Sequence, residues 1–101
     1  MLAALADAAE LIVSETVTNA VRAAAGLQGG NLTIPVVRLW LASDLRALLI
    51  SVWDGSSQMP VPQDASPDDE LGRGLMLVDS MASEWGAYLV SEGKVVWVII
   101  K

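Results

Sequence analysis

Three polar side chains in the first quarter of the chain have the spacing of a single helix face. Glu15, Asn19 and Arg22 are four and three residues apart, which places them within about 60° of one another around an α-helix. A carboxylate one turn before an amide suits a proton acceptor beside a Mg²⁺ ligand. The competing interpretation is an ordinary solvated face of an amphipathic helix.

A second candidate group follows an apolar run in the middle of the chain, where Asp54 is followed by Gly55. A carboxylate at a strand end can accept a hydrogen bond from the exocyclic amine of a ligand. The glycine beside it lets a planar ring approach the backbone. The alternative is a plain turn, because Asp-Gly is a common turn dipeptide.

A third candidate group precedes the second helical pattern and reads Gly72, Arg73, Gly74, Leu75. The start of a helix offers free N–H donors and the positive end of the helix dipole, which together favour a phosphate. Arg73 would add a cation. The alternative is an ordinary glycine-rich helix start.

Composition excludes several classes of chemistry. The 101 residues fit one domain, 1–101, and 53% hydrophobic residues suffice for a core. A net charge of -6 argues against binding nucleic acid or an anionic membrane. The chain has no Cys and no His, which removes disulfides, thiol catalysis, Ser-His triads and most zinc sites. Without a targeting signal at the start, we expect a cytoplasmic protein.

The elements that must position these groups can be predicted from residue patterns. Residues 2–25 contain no Gly or Pro, which predicts one long helix ended by Gly26. Its core-facing stripe is predicted opposite the polar triplet and comprises Val13, Val17, Ala20, Val21 and Ala24. The remaining predicted elements are strands at 36–42 and 47–53, a helix at 75–84, and strands at 85–91 and 95–100.

Segment 54–71 separates the two halves of this pattern. It holds three of the four prolines and five acidic residues, which excludes a regular helix or strand and predicts a functional loop such as a lid. The order of elements predicts an α+β fold, a two-layer sandwich with a mostly antiparallel sheet and helices on one face. The apolar strands also predict that the second face is partly covered.

Taken together, these segments resemble the Bergerat-fold ATPases, which include gyrase, the histidine kinases and MutL-type repair proteins. The likeness is strongest to the histidine-kinase-like ATPase domains of bacterial anti-sigma-factor serine/threonine kinases and their stand-alone actinomycete relatives. It covers nearly the whole chain and is carried by LIVSETVTNAVRAA (11–24), VWDGSSQMPVP (52–62), DDELGRGLMLVDSMASEWG (68–86) and the terminal KVVWVII.

The resemblance implies an ATP- and Mg²⁺-dependent kinase that phosphorylates a Ser or Thr of a small antagonist protein and regulates a sigma factor. It implies that Glu15 is the catalytic acidic residue, that Asn19 binds Mg²⁺ and that Arg22 approaches the phosphates. The other implied nucleotide-binding residues are Asp54, Gly55, Gly72, Arg73, Gly74 and Leu75, with an ATP lid at 56–71. Slow ATP hydrolysis, a nucleotide-sensing interaction module with little catalysis, and an α+β domain without chemistry remain alternatives.

Two departures from the family pattern affect these expectations. The first glycine box of the family reads Asp-x-Gly-x-Gly, whereas this chain has its glycine one place early and lacks the second, which suggests weaker adenine binding. The family also places a strand and a helix ahead of the long helix, whereas this sequence begins inside that helix, so either the start is truncated or the fold has lost an edge. Their loss would expose apolar surface and a sheet edge, so we expect a homodimer or limited solubility.

Overall fold

The computed structural model describes residues 2–25, 36–58 and 70–101, with side chains described from residue 5 in the first range and from residue 76 in the last. Six elements follow in the predicted order: α1 (Leu2–Ala25), β1 (Val37–Ser43), β2 (Leu48–Asp54), α2 (Glu70–Met81), β3 (Glu84–Val90) and β4 (Gly93–Ile100). Helix α1 has its predicted bounds, and every strand begins within two residues of its predicted start. The predicted cap at Gly26 and residues 59–69 of the predicted lid lie outside the described residues.

Helix α2 differs from its prediction at both ends. It begins at residue 70 rather than 75 and ends at residue 81 rather than 84. Its last turn closes where the N–H of Ala82 donates to the carbonyl of Val78 at 2.9 Å. The next N–H, that of Ser83, already donates to the carbonyl of Ile99 at 2.8 Å. The chain therefore leaves the helix and begins to pair with β4 earlier than the residue pattern predicted.

The four strands form one antiparallel sheet with the order β1-β2-β4-β3. Each outer strand pairs with its neighbour in the chain, and β2 and β4 join the two hairpins at the centre. Both helices pack on one face of this sheet and against each other. The predicted α+β sandwich with helices on one face is confirmed.

The core lies between the helices and one face of the two central strands. Its most enclosed hydrophobic side chains are at most 1% exposed: Ile12, Ile50, Val52, Val78 and Val98. Each buried aliphatic side chain of this size contributes about 1.5–3 kcal/mol relative to exposure in water. The core therefore holds α1 over β2, with α2 packed against α1 and β3.

The buried stripe of α1 differs from its prediction. Ile12, Thr16, Ala20 and Ala24 face the core, Val13 and Val17 are only half-buried, and Val21 is 40% exposed. Thr16 can replace an apolar residue there because its hydroxyl donates to the carbonyl of Ile12 at 2.7 Å and leaves no unpaired polar group. The helix is thus rotated toward its polar side relative to the prediction.

The opposite face of the sheet is apolar and carries aromatic side chains in rows across the strands. One row runs Arg38, Trp53, Val95, Tyr88, and the next runs Trp40, Ser51, Trp97, Gly86. The guanidinium of Arg38 lies 5.4 Å from the centre of the Trp53 ring, a cation–π distance. The predicted partial cover of this face is not found among the described helices and strands.

Candidate functional site

The carboxylate of Asp54 ends β2 inside the protein rather than in a surface turn. Its side chain is 1% exposed and lies on the sheet face that the helices cover. Oδ1 accepts a hydrogen bond from the backbone N–H of Ser56 at 2.8 Å and another from Nζ of Lys94 at 2.9 Å. A buried carboxylate is costly unless it is paired and hydrogen-bonded, so these two donors replace the water that Asp54 has lost.

Lys94 is the residue of this site that the sequence analysis missed. It is 4% exposed, forms an ion pair with Asp54, and places Nζ 3.5 Å from the carbonyl oxygen of Ser56. It lies directly opposite Asp54 in the β2–β4 register. The prediction began β4 at Val95 and so left Lys94 in a turn. The available signal was period-two alternation, which puts Lys94 on the same face as Val96 and Val98.

Gly93 brings the two strand ends together just before this ion pair. Its φ of 125° lies in a region that favours glycine. A Cβ at this position would overlap the carbonyl oxygen of Asp54 and lie 2.9 Å from Cα of Gly55. The backbone of β4 can therefore approach the start of the following loop only because residue 93 has no side chain.

The first residues after β2 are held by their own side chains. The bond from the Ser56 N–H to Asp54 closes one turn, and the N–H of Gln58 donates to Oγ of Ser56 at 3.1 Å to close a second. Ser56 is buried and Gly55 is half-buried. The carboxylate of Asp54 and the hydroxyl of Ser56 are thus the acceptors that order the segment after β2, although this segment lacks the second glycine of the Asp-x-Gly-x-Gly pattern.

The polar triplet of α1 lies beside the core rather than opposite it. Glu15 and Asn19 are half-buried, and Arg22 is exposed. The rotation of the helix brings Thr16 and Ile12 into the core, and Glu15 and Asn19 are the next side chains around its circumference. The prediction that this face lies opposite the core stripe is therefore wrong for these two residues, which border the covered layer.

The glycine segment lies inside α2 and not ahead of it. The helix begins at Glu70, so Gly72, Arg73, Gly74 and Leu75 belong to its first two turns, and their side chains lie outside the described part of the structure. An acidic residue at a helix start complements the helix dipole, which the prediction neglected. Only the first four N–H groups of a helix lack a partner within it, so the free donors begin earlier than predicted.

The three elements that carry the predicted site residues are neighbours. Helix α1 packs against both α2 and β2. The two helices, one with Glu15 and Asn19 and the other with residues 72–75, therefore form one layer. The strand that ends at Asp54 belongs to the sheet beneath that layer. Helix α1 therefore connects the other two elements, and a ligand site shared by all three stays a prediction.

Comparison with known protein families gives a match over nearly the whole chain. The family model for the histidine kinase-like ATPase domain matches residues 2–100. Comparison with curated proteins and with solved structures gave no match. Among the described helices, none has both the length and the apolar character that a membrane crossing requires. Within the same residues, no three His, Cys, Asp or Glu side chains cluster as metal ligands.

Proposed function

Since the chain belongs to the family of histidine kinase-like ATPase domains, whose members bind ATP, we propose that it is a cytoplasmic Mg·ATP-dependent serine/threonine protein kinase of the anti-sigma-factor type. The observation that carries this proposal is the family match over 2–100, and the buried Asp54 at the end of the strand on which α1 packs supports it. The substrate is a Ser or Thr hydroxyl of a small antagonist protein, and the regulated partner is a sigma factor.

Each proposed residue has a role that its chemistry allows. Glu15 accepts or orients the proton of the attacking hydroxyl, and Arg22 stabilises charge on the phosphates. Asp54 accepts a hydrogen bond from the amino group of the adenine, with Gly55 beside the ring. Residues 72–75, in the first turns of α2, receive the phosphates at the positive end of the helix dipole.

The residues on α1 also fit a magnesium ion. Asn19 offers an amide oxygen beside the carboxylate of Glu15, and both are half-buried. Mg²⁺ is usually held by one or two protein oxygens together with substrate phosphates and water, so a larger cluster of carboxylates is not required. Bound Mg²⁺ supplies neutralisation of phosphate charge, which a protein of net charge -6 needs when it binds an anionic nucleotide.

A nucleotide-sensing module with little catalysis is the second candidate function. The irregular glycine box after Asp54 favours it, because the chain departs there from the family pattern. Both candidates share the ATP site and differ only in phosphoryl transfer or hydrolysis. An assay of phosphoryl transfer or hydrolysis therefore distinguishes them, whereas a measurement of ATP affinity does not.

The test combines ATP binding with transfer of labelled phosphate to a candidate antagonist. We expect Glu15→Gln to lower transfer by about 100-fold or more while the Kd for Mg·ATP, measured by isothermal titration calorimetry, changes less than about twofold. Glu10→Gln is the matched control, since Glu10 is an exposed carboxylate on the same helix. Equal transfer by wild type and Glu15→Gln would contradict the role of Glu15. ATP binding without transfer in wild type would favour the sensing module.

A further inference from the structure

We propose that Lys94 is a specificity-determining residue of the nucleotide site, where it reads the base together with Asp54. In this arrangement, Asp54 accepts a hydrogen bond from the exocyclic amine of a 6-aminopurine, and Lys94 donates to the adjacent ring nitrogen. The inference rests on the proposed function, because it assigns a role within the same ATP site.

The two oxygens of Asp54 have different surroundings. Both hydrogen bonds to this carboxylate, from Ser56 and from Lys94, fall on Oδ1. Oδ2 accepts none from any described residue. No fully buried side-chain oxygen or nitrogen in the described ranges lacks a hydrogen-bond partner, so Oδ2 is not fully enclosed. The carboxylate is thus held through Oδ1, and Oδ2, on a side chain that is 1% exposed, is the oxygen left to accept from a ligand.

The ammonium group of Lys94 also has more N–H donors than it has acceptors among the described residues. A lysine ammonium has three N–H donors, and two acceptors among the described residues lie within reach: Oδ1 of Asp54 at 2.9 Å and the carbonyl of Ser56 at 3.5 Å. A third N–H is therefore left to donate to a ligand. An acceptor and a donor therefore lie side by side at this strand end.

Stability alone gives little reason for this ion pair. A buried salt bridge contributes weakly compared with apolar residues of similar volume. The next two cross-strand pairs of β2 and β4 on the same face are apolar, Val52 with Val96 and Ile50 with Val98. The charged pair occurs only at the strand end that leads into the ligand loop. Gly93 and the turn bond to Ser56 fix its backbone there.

The arrangement selects for one pattern of hydrogen bonds on a base. Adenine carries an amino donor next to a ring acceptor, which complements a carboxylate oxygen of Asp54 and an N–H of Lys94 that lie side by side. Hypoxanthine and guanine carry an acceptor in place of the amino group and a donor in place of the ring nitrogen, so both contacts become repulsive. Lys94 would also balance the charge of Asp54, which limits repulsion of an anionic nucleotide.

The experiment compares ATP with 1-deaza-ATP, in which the ring nitrogen next to the amino group is replaced by C–H. Calorimetry on the full chain with Mg²⁺ should give a Kd for ATP about 10- to 100-fold lower than for 1-deaza-ATP, since a hydrogen bond from a charged donor is lost. In Lys94→Met, we expect the two nucleotides to bind within about twofold of each other. Lys101→Met is the matched control, an exposed lysine at the end of the same strand segment, and should keep the wild-type ratio.

Each outcome has a distinct meaning. If both affinities fall in Lys94→Met and their ratio persists, Lys94 is only structural and the inference is wrong. Lys94→Met leaves Asp54 without its cation, so circular dichroism must verify folding, and the double variant Asp54→Asn/Lys94→Met removes both charges if the single variant unfolds. The wild type alone also decides the question, because equal binding of ATP and 1-deaza-ATP overturns the inference. Absence of ATP binding in wild type would instead overturn the proposed function itself.

Discussion

The two faces of the sheet differ in burial, although the same four strands form both. On the helix-covered face, Ile50 and Val98 are fully enclosed, and the row at the strand end is the ion pair of Asp54 and Lys94. On the other face, Trp40 is 52% exposed and no described element covers the aromatic rows. Both faces are apolar, so hydropathy alone does not define the core. The inner faces of α1 and α2 decide which side of the sheet is buried.

The largest expected effect comes from removing volume on the covered face. Ile50 is fully buried at the centre of β2, so Ile50→Ala should lower the free energy of unfolding by about 2–5 kcal/mol, through lost burial and the cavity left behind. Urea denaturation followed by circular dichroism measures this change.

The neighbouring residue of the same strand is the matched control for the other face. Leu49 is 38% exposed, so Leu49→Ala should cost less than about 1 kcal/mol. Equal losses for Ile50→Ala and Leu49→Ala would mean that both faces are enclosed in solution, and the distinction between the faces would be wrong.

A smaller effect on stability, with a clear effect on association, is expected at the open face. This face and the edge of β1, with which no described strand pairs, should drive self-association of the wild-type chain. Trp40→Thr keeps a good strand former and should change the free energy of unfolding by less than about 1 kcal/mol while weakening the dimer. Light scattering after size exclusion over a concentration series measures the association. A wild-type chain that stays monomeric throughout would contradict this prediction.

The smallest effect is expected in the β1–β2 turn, which belongs to neither face. The N–H groups of Arg46 and then Ala47 donate to the carboxylate of Asp44, at 2.9 Å each, and lower its pKa. A lowered pKa in the folded state contributes stability above the ordinary carboxyl range, and this contribution is lost as the pH falls through and below about 4.

The variant Asp44→Asn isolates that contribution, because the amide oxygen can still accept both N–H bonds. We expect a slightly lower melting temperature than wild type at neutral pH and no difference near pH 2. Thermal denaturation across this range measures it. A difference that persists unchanged at acid pH would show that the charge of Asp44 is not its source.

Regular patterns along the chain were sufficient to predict most of the fold, while local exceptions were not. The absence of Gly and Pro from 2–25 fixed the bounds of α1. The stripe of α1 was misplaced because Thr16, polar by composition, satisfies its hydroxyl within the helix and enters the core. The glycines at 72 and 74 predicted a helix start, whereas the helix begins before them.

The candidate site was predictable only where a single residue type pointed to its chemistry. Asp54 stood out as a carboxylate at a strand end, and the structure places it there, buried on the inner face of the sheet. Lys94 did not stand out, because its importance depends on the β2–β4 register that brings it opposite Asp54. Such long-range pairing of β2 with β4 leaves no local trace in the chain, apart from the alternation that places Lys94 on the inner face.

The distribution of tryptophans has a practical consequence. Trp85 is on the inner face of β3, and its indole N–H donates to Oδ1 of Asp79 on α2 at 2.8 Å, whereas the other three tryptophans are on the outer face. Replacing those three with phenylalanine would leave Trp85 as the single tryptophan, bonded to the helix that carries residues 72–75, and it can be excited separately from Tyr88. Its emission would then follow displacements of that helix during nucleotide titration, without any attached dye.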